Sequence, residues 1–304
     1  MNNDVLSSLE RERSALIPPV LIGSAICVVA FIMFIGGIGM QNFGTILFGL
    51  LLAVIGILYF MLAYSPKHKA YEKHYKDSIV TATFEEAFGK ISYLADEGFS
   101  KDMIRETGFM QLGNRYHSED LITGAYNGIR FQRSDVLIQD HRSNGKSSYT
   151  VTYFQGRWIT MSSNKHFNFD LQLIQAGFGY TQKKSSIFTR ATDRRHKVEF
   201  ENEEFNNRFT CYCQNDQEAF YLITPHIMEA LMNYTALVNG KVMIGFHNNL
   251  IHLAVETGTD TLEPSLWSPL TYEKDILPVK NEVTAITSFI NQLHMERNIF
   301  GGTN

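Results

Sequence analysis

VLIGSAICVVAFIMFIGGIGM, residues 20–40, and GTILFGLLLAVIGILYFMLAY, residues 44–64, follow one another with only Gln41, Asn42 and Phe43 between them. Neither contains Asp, Glu, Lys, Arg or His. Each has the roughly 20 residues that an α-helix needs to cross a hydrocarbon core about 30 Å thick. One buried core helix of a soluble protein can be this apolar, but two in succession are too greasy for most soluble folds. A cleaved signal peptide does not fit either, because the first apolar run exceeds a usual h-region and a second run follows at once. The expectation is a transmembrane hairpin over residues 17–64, with spans at about 19–40 and 44–64.

Working outward, Arg11 and Arg13 precede the first span, Lys67, Lys69, Lys73 and Lys76 follow the second, and the connecting turn is uncharged. Two spans put both flanks on one side, and the positive-inside bias makes that side the cytoplasm. This predicts a multi-pass protein of the cell (inner) membrane with cytoplasmic N- and C-termini and a short cytoplasmic tail, residues 1–16. Tyr64 sits where an amphipathic ring favours the membrane interface, and the four lysines suit anionic lipid heads. Gly49, Ala53 and Gly56 share a face of the second span, as Gly23 and Cys27 do on the first, so the helices are expected to pack there through small residues. Ionisable residues inside spans mark proton and ion routes; their lack here argues against transport by this hairpin alone.

The formal net charge is −4 and no long basic tract follows residue 76. The expected partners are therefore the lipid bilayer and a protein, not nucleic acid. Three cysteines are present: Cys27 in the first span, and Cys211 and Cys213 flanking Tyr212. Their spacing matches neither a zinc knuckle nor a redox pair, and reduced thiols fit a cytoplasmic domain.

After the second span, HKAYEKHYKDSIVTATFEEAFG (residues 68–89) has no Pro or Gly before Gly89 and carries apolar residues at helical spacing. A juxtamembrane helix is expected over residues 65–89, then a cytoplasmic α+β domain over 90–304. Ser100 to Gly108 has a capping residue and a terminator for a short helix. LITGAY, Asn127-Gly128 and IRFQRSDVLIQD make a strong hairpin pattern. YTVTYF, Gln155-Gly156 and RWITMSS predict a second hairpin, and KVMIGF, Asn248-Asn249 and LIHLAVE a third. FDLQLI, Val198–Phe200 and Phe209–Cys213 read as strands, and Gly177–Lys197 as a polar loop. Thr224 and Pro225 suit the cap and first turn of a helix, and Val279–His294 is amphipathic. Antiparallel hairpins with packing helices, and no alternating βαβ pattern, define the α+β class.

Chemical motifs are sparse. Neither a phosphate loop, a dinucleotide fingerprint nor a G-x-S-x-G turn occurs. No catalytic residues, cofactor or metal ligands are assigned. His247 and His252 are the one histidine pair expected to face each other, across the third hairpin. The acidic run from Glu199 to Glu204 lacks the ligand spacing of a calcium loop.

The run FENEEFNNRFTCYCQNDQEAFYLITPHIMEALMNY (200–234), then KVMIGFHNNLIHLAV (241–255), LEPSLWSPL (262–270) and the opening strand Glu119-Asp120-Leu121-Ile122-Thr123-Gly124 together resemble a bacterial membrane-protein family catalogued as domain of unknown function 3137. The resemblance implies an uncharacterised membrane protein and carries no catalytic residues with it. Within LEPSLWSPL, packing of the segment onto its own sheet is expected, with partner docking by Leu266 and Trp267 the sharper alternative. The functional expectation is a membrane-tethered cytoplasmic binding or scaffold module. The alternative is a membrane-anchored, metal-assisted hydrolase using His247 and His252.

Overall fold

The first apolar run forms the core of helix α1 (Asn3–Gly39), which continues without a break through the Glu-Arg-Glu-Arg run and Pro18-Pro19. The 1–16 tail is thus mostly the first turns of the same helix, with Leu9, Arg13 and Leu16 buried. This computed structural model describes residues 3–145, 147–179, 195–259 and 262–294. The polar stretch 177–197 lies largely outside the described residues.

Two compact units are present: residues 1–82 with 263–277, and residues 83–262 with 278–304. In the first, Gln41 takes a left-handed φ of 51° in the tight turn. Asn42 then caps α2 (Phe43–Tyr59), its side chain accepting from the Gly44 and Thr45 amides at 3.0 and 3.3 Å. The helix runs on through a π turn (Phe60–Tyr64), α3 (Ser65–Tyr75), a second π turn (Lys76–Thr81) and α4 (Ala82–Phe88), whose last residues belong to the second unit. Each π turn re-phases the helix. Both long helices are apolar and long enough to cross a membrane, and only 17% and 11% of their most apolar windows are buried within the protein.

The second unit is α+β, built on a seven-stranded antiparallel sheet. Its elements are β1 (Ser92–Leu94), α5 (Lys101–Thr107), β2 (Arg115–Tyr126), β3 (Ile129–Ser143), β4 (Ser148–Gln175), β5 (His196–Val198), α6 (Glu203–Arg208), β6 (Phe209–Cys213), α7 (Asp216–Leu222), α8 (Pro225–Leu237), β7 (Lys241–Glu256) and α9 (Leu277–His294). Strand order is β1-β2-β3-β4-β6-β5, with β7 also paired to β4. Because β4 pairs with both β3 and β7 near Ile159, and with both β6 and β7 near Leu173, β7 lines one edge of β4 while β3 and β6 share the other.

The β2–β3 hairpin turns at Asn127 (φ 49°) and Gly128 (φ 81°), the double positive φ that a two-residue turn demands. The other two expected hairpins are not hairpins. At Gln155-Gly156 the chain goes straight on: Gly156 lies opposite Val136 on one side and Glu256 on the other, and a Cβ there would run into the Val255 carbonyl. That glycine permits close approach of strands rather than a reversal. FDLQLI is the far end of the same strand. At Asn248-Asn249 only Asn248 has a positive φ (53°), which bends β7 without folding it back, and both halves pair with β4. Register shifts between Ser162, Phe167 and Leu171 let β4 bend with it.

The sheet buries both faces. One packs against a cluster of Phe99, Ile104, Phe109, Val136, Phe154 and Trp158. The other carries Phe131, Arg133, Ile159 and Met161 in register and meets α9 through Glu282. Tyr234 of α8 packs on Phe289 of α9, 5.3 Å between ring centres.

Candidate functional site

On the α9 side of the sheet, strand alternation puts Arg133 and Asp135 of β3 on one face, and the register sets Asp135 directly opposite Arg157 of β4. Glu282, from the second turn of α9, reaches between the two arginines. Its carboxylate accepts from Arg133 Nε at 3.0 Å and from Arg157 Nη1 at 2.7 Å, while Arg133 Nη1 donates to Asp135 at 2.6 Å. Arg157 also donates to the Asn239 carbonyl at 3.3 Å. Arg133 is fully buried, and Arg157, Glu282 and Asp135 are 4%, 2% and 6% exposed.

Two cations and two anions balance inside the protein. Burial is the largest single influence on the Glu282 carboxyl and pushes its pKa up, but the charges and hydrogen bonds of the two guanidinium groups together outweigh it and hold the carboxyl below the usual carboxylate range. Around Arg133 the carboxylates win in the same way and its pKa is raised. Arg157 Nε and the Tyr234 hydroxyl have no hydrogen-bond partner among the described residues, and burial raises the Tyr234 pKa. Geometrically the network is a clamp tying α9 to two central strands.

Nearby, Asp120 is buried at a bulge in β2 with φ 58°, a conformation that asparagine and aspartate tolerate better than most residues. Its carboxylate accepts from Tyr93 at 2.5 Å. This residue belongs to the Glu119–Gly124 motif, so the motif marks a bulge as well as a strand. Beside it His117, Glu119, Asp135, Val136, Gln155 and Thr259 line a small pocket of about 50 Å³.

The opposite face of the sheet brings His247 and His252 to 6.5 Å between ring centres, along one strand rather than across a turn. His252 is 1% exposed; its Nδ1 accepts from Trp158 Nε1 at 3.1 Å and its Nε2 has no partner among the described residues. Burial, with His247 adding a smaller push, drives its pKa down to about 3, so it is a neutral imidazole. His247 Nδ1 lies 2.7 Å from Asp170 and its Nε2 lies 2.9 Å from the Asn248 amide. Among the described residues no group of three or more His, Cys, Asp or Glu side chains is arranged to hold a metal ion.

In the first unit, Gly49 and Gly56 are buried and Ala53 is half-buried. A Cβ at Gly49 would lie 2.8 Å from the Phe34 amide nitrogen, and one at Gly56 2.9 Å from Cys27 Sγ. Gly23 abuts the Phe60 ring in the same way. Lys67, Lys69 and Lys73 are exposed and Tyr64 half-buried. Lys76 departs from the surface role expected of it: it is 8% exposed, and its ammonium lies 4.0 Å from Glu263. The LEPSLWSPL segment departs too, since it joins this unit rather than the sheet. Arg13 donates to the Leu266 carbonyl at 2.5 Å, Glu10 accepts from the Leu270 amide at 3.0 Å, and Asp275 bonds the buried Tyr75 hydroxyl. Leu270 is buried, whereas Trp267 is 65% exposed.

Sequence reasoning missed Arg133, Asp135, Arg157 and Glu282. The one signal available was a pair of opposite charges, Arg133 and Asp135, two residues apart on one face of β3, which reads as a solvent face until a helix covers it.

No curated protein matches this chain. A solved structure, the mycobacterial trehalose monomycolate transport factor A, TtfA, aligns with a TM-score of 0.35 and 8% identity, covering 71% of this chain and 94% of that one. Residues 152–295 match the family described as "Protein of unknown function (DUF3137)", a stretch from near the start of β4 through α9 that holds Arg157, His247, His252 and Glu282.

Proposed function

We propose that the protein is an integral membrane protein whose hairpin, α1 with α2, tethers a cytoplasmic binding or scaffold module to the inner membrane. The observation that carries the reading is the outer surface of the hairpin. Phe31, Ile32, Met61 and Leu62 are each more than 60% exposed, on helices that hold no charge across about 20 residues. Contiguous apolar surface of that extent calls for a lipid solvent or another apolar partner. The exposed Lys67, Lys69 and Lys73 support placing the inner ends of both helices at an anionic cytoplasmic leaflet. The second unit supports a binding role over catalysis, because its strongest polar cluster is consumed by internal ion pairs.

Alkaline carbonate extraction of membranes, followed by protease treatment of sealed and opened vesicles, tests the tether and its orientation. Retention in the membrane, with the C-terminal unit cleaved only from the cytoplasmic side, is expected; release by carbonate overturns the reading. Affinity capture from detergent extracts, with and without the second unit, tests the module. The metal-assisted hydrolase is a second reading, favoured only by the unpartnered Nε2 of His252 beside His247. It requires stoichiometric metal in the purified protein and loss of that metal in His252→Ala, both measurable by elemental analysis.

A further inference from the structure

The segment 263–277 returns to the first unit through tethers whose levels along the helices can be counted. At about 1.5 Å per residue, Lys76 and Tyr75 lie about 18 and 16 Å beyond Tyr64, the end of the second apolar run. Glu10 and Arg13 lie about 13 and 9 Å before Pro19, the start of the first. Pro19 and Tyr64 are level with each other, because Gly23, four residues into the first run, abuts Phe60, four residues before the end of the second. The chain therefore leaves Lys76 at Glu263, comes to Arg13 at Leu266, falls back to Glu10 at Leu270 and ends at Tyr75 with Asp275. Its path is an arch, and the turn nearest the apolar runs is Leu266-Trp267.

Trp267 sits at that apex, pinned by a backbone tether on the preceding residue and another three residues on, yet its indole is 65% exposed. A rigidly held, exposed tryptophan suits the boundary between hydrocarbon and water, where the ring is half-solvated and its N–H can donate. The headgroup layer adds about 5–7 Å to each side of the hydrocarbon core, which brings it close to the level of the apex. We infer that Trp267 is a third membrane contact: the arch dips its indole into the lipid headgroup layer beside the inner ends of α1 and α2. This rests on the proposed membrane tether.

The chain has two tryptophans, and Trp158 is fully buried in the second unit. Emission of Trp267 is therefore obtained as the difference between the full-length protein and Trp267→Phe, or directly from Trp158→Phe if that variant folds. The protein is reconstituted into vesicles of phosphatidylcholine with phosphatidylglycerol. A blue-shifted Trp267 emission, quenched by lipid brominated near the glycerol level and shielded from aqueous acrylamide, is the expected result. Full quenching by acrylamide with no effect of brominated lipid, in protein that still floats with the vesicles, overturns the inference and leaves the tether intact. Protein that fails to float overturns both.

Discussion

At Glu282 one carboxylate satisfies two buried guanidinium groups. Removing it leaves Arg133 and Arg157 with Asp135 as the remaining carboxylate of the network, and stranding a buried charge costs about 3–5 kcal/mol. Glu282→Ala is expected to lower the unfolding free energy of the detergent-solubilised protein by that much, read as a lower denaturation midpoint. Replacing Arg133, Asp135, Arg157 and Glu282 together by apolar residues of similar size should cost far less, since no charge is then stranded. Because the folded carboxyl of Glu282 titrates below its unfolded value, its contribution is complete above about pH 4.5 and is lost as the pH falls through the folded value. His252 acts over a higher window. Its pKa is about 6.5 when unfolded and about 3 in the fold, so the unfolded chain binds the extra proton between those values. Stability should fall steadily from pH 6.5 to pH 4.5 in thermal melts, and His252→Gln should flatten that slope. His252 stands out in the sequence with His247 as a facing pair, whereas the Glu282 network is not readable there as a site. Arg133 looks like a surface residue in FQRSDV, and only the docking of α9, about 150 residues later, buries it.

Among elements, β4 and β7 separate what a local reading can see from what it cannot. Asn127-Gly128 makes a hairpin because both residues take positive φ, a requirement written into two adjacent side chains. Gln155-Gly156 and Asn248-Asn249 carry similar turn residues, yet there the long-range pairing of β4 with β7 decides, and pairing partners about 70–100 residues apart leave no local pattern. Gly156→Val should therefore act on the ladder rather than on a turn. Forcing a side chain against the Val255 carbonyl is expected to cost about 1–3 kcal/mol or more. Hydrogen exchange should show the amides of β4 and β7 losing protection together. The helix starts were plainer. Ser100 accepts from the Met103 amide at 3.1 Å and Thr224 from the Ile227 amide at 3.3 Å, as capping residues do. Thr224→Ala should cost about 1 kcal/mol, read from the same melts.

Over the whole molecule, the α+β class and the paired apolar helices were legible because each rests on composition and period within a single segment. The membership of residues 263–277 in the N-terminal unit was not, because Pro264, Pro269 and the apolar Leu266 and Leu270 say only that the stretch is extended and partly buried. Its attachment depends on Arg13 and Glu10, more than 250 residues away in sequence. Arg13→Ala should free the arch, and limited chymotrypsin digestion of the solubilised protein should then cut at Leu266 or Trp267 faster than in the unchanged chain. That attachment also imposes a schedule on biosynthesis. About 180 residues separate the end of the first helical stretch from the segment that completes the unit. At elongation speeds of roughly 5–20 residues per second, the newborn helices wait about 9–36 s for their last strap to leave the ribosome. During that interval the buried partners of the strap, Arg13 and Tyr75 among them, are open to chaperones and quality-control proteases, which makes those seconds the stage at which a truncated or stalled chain can be told from a finished one.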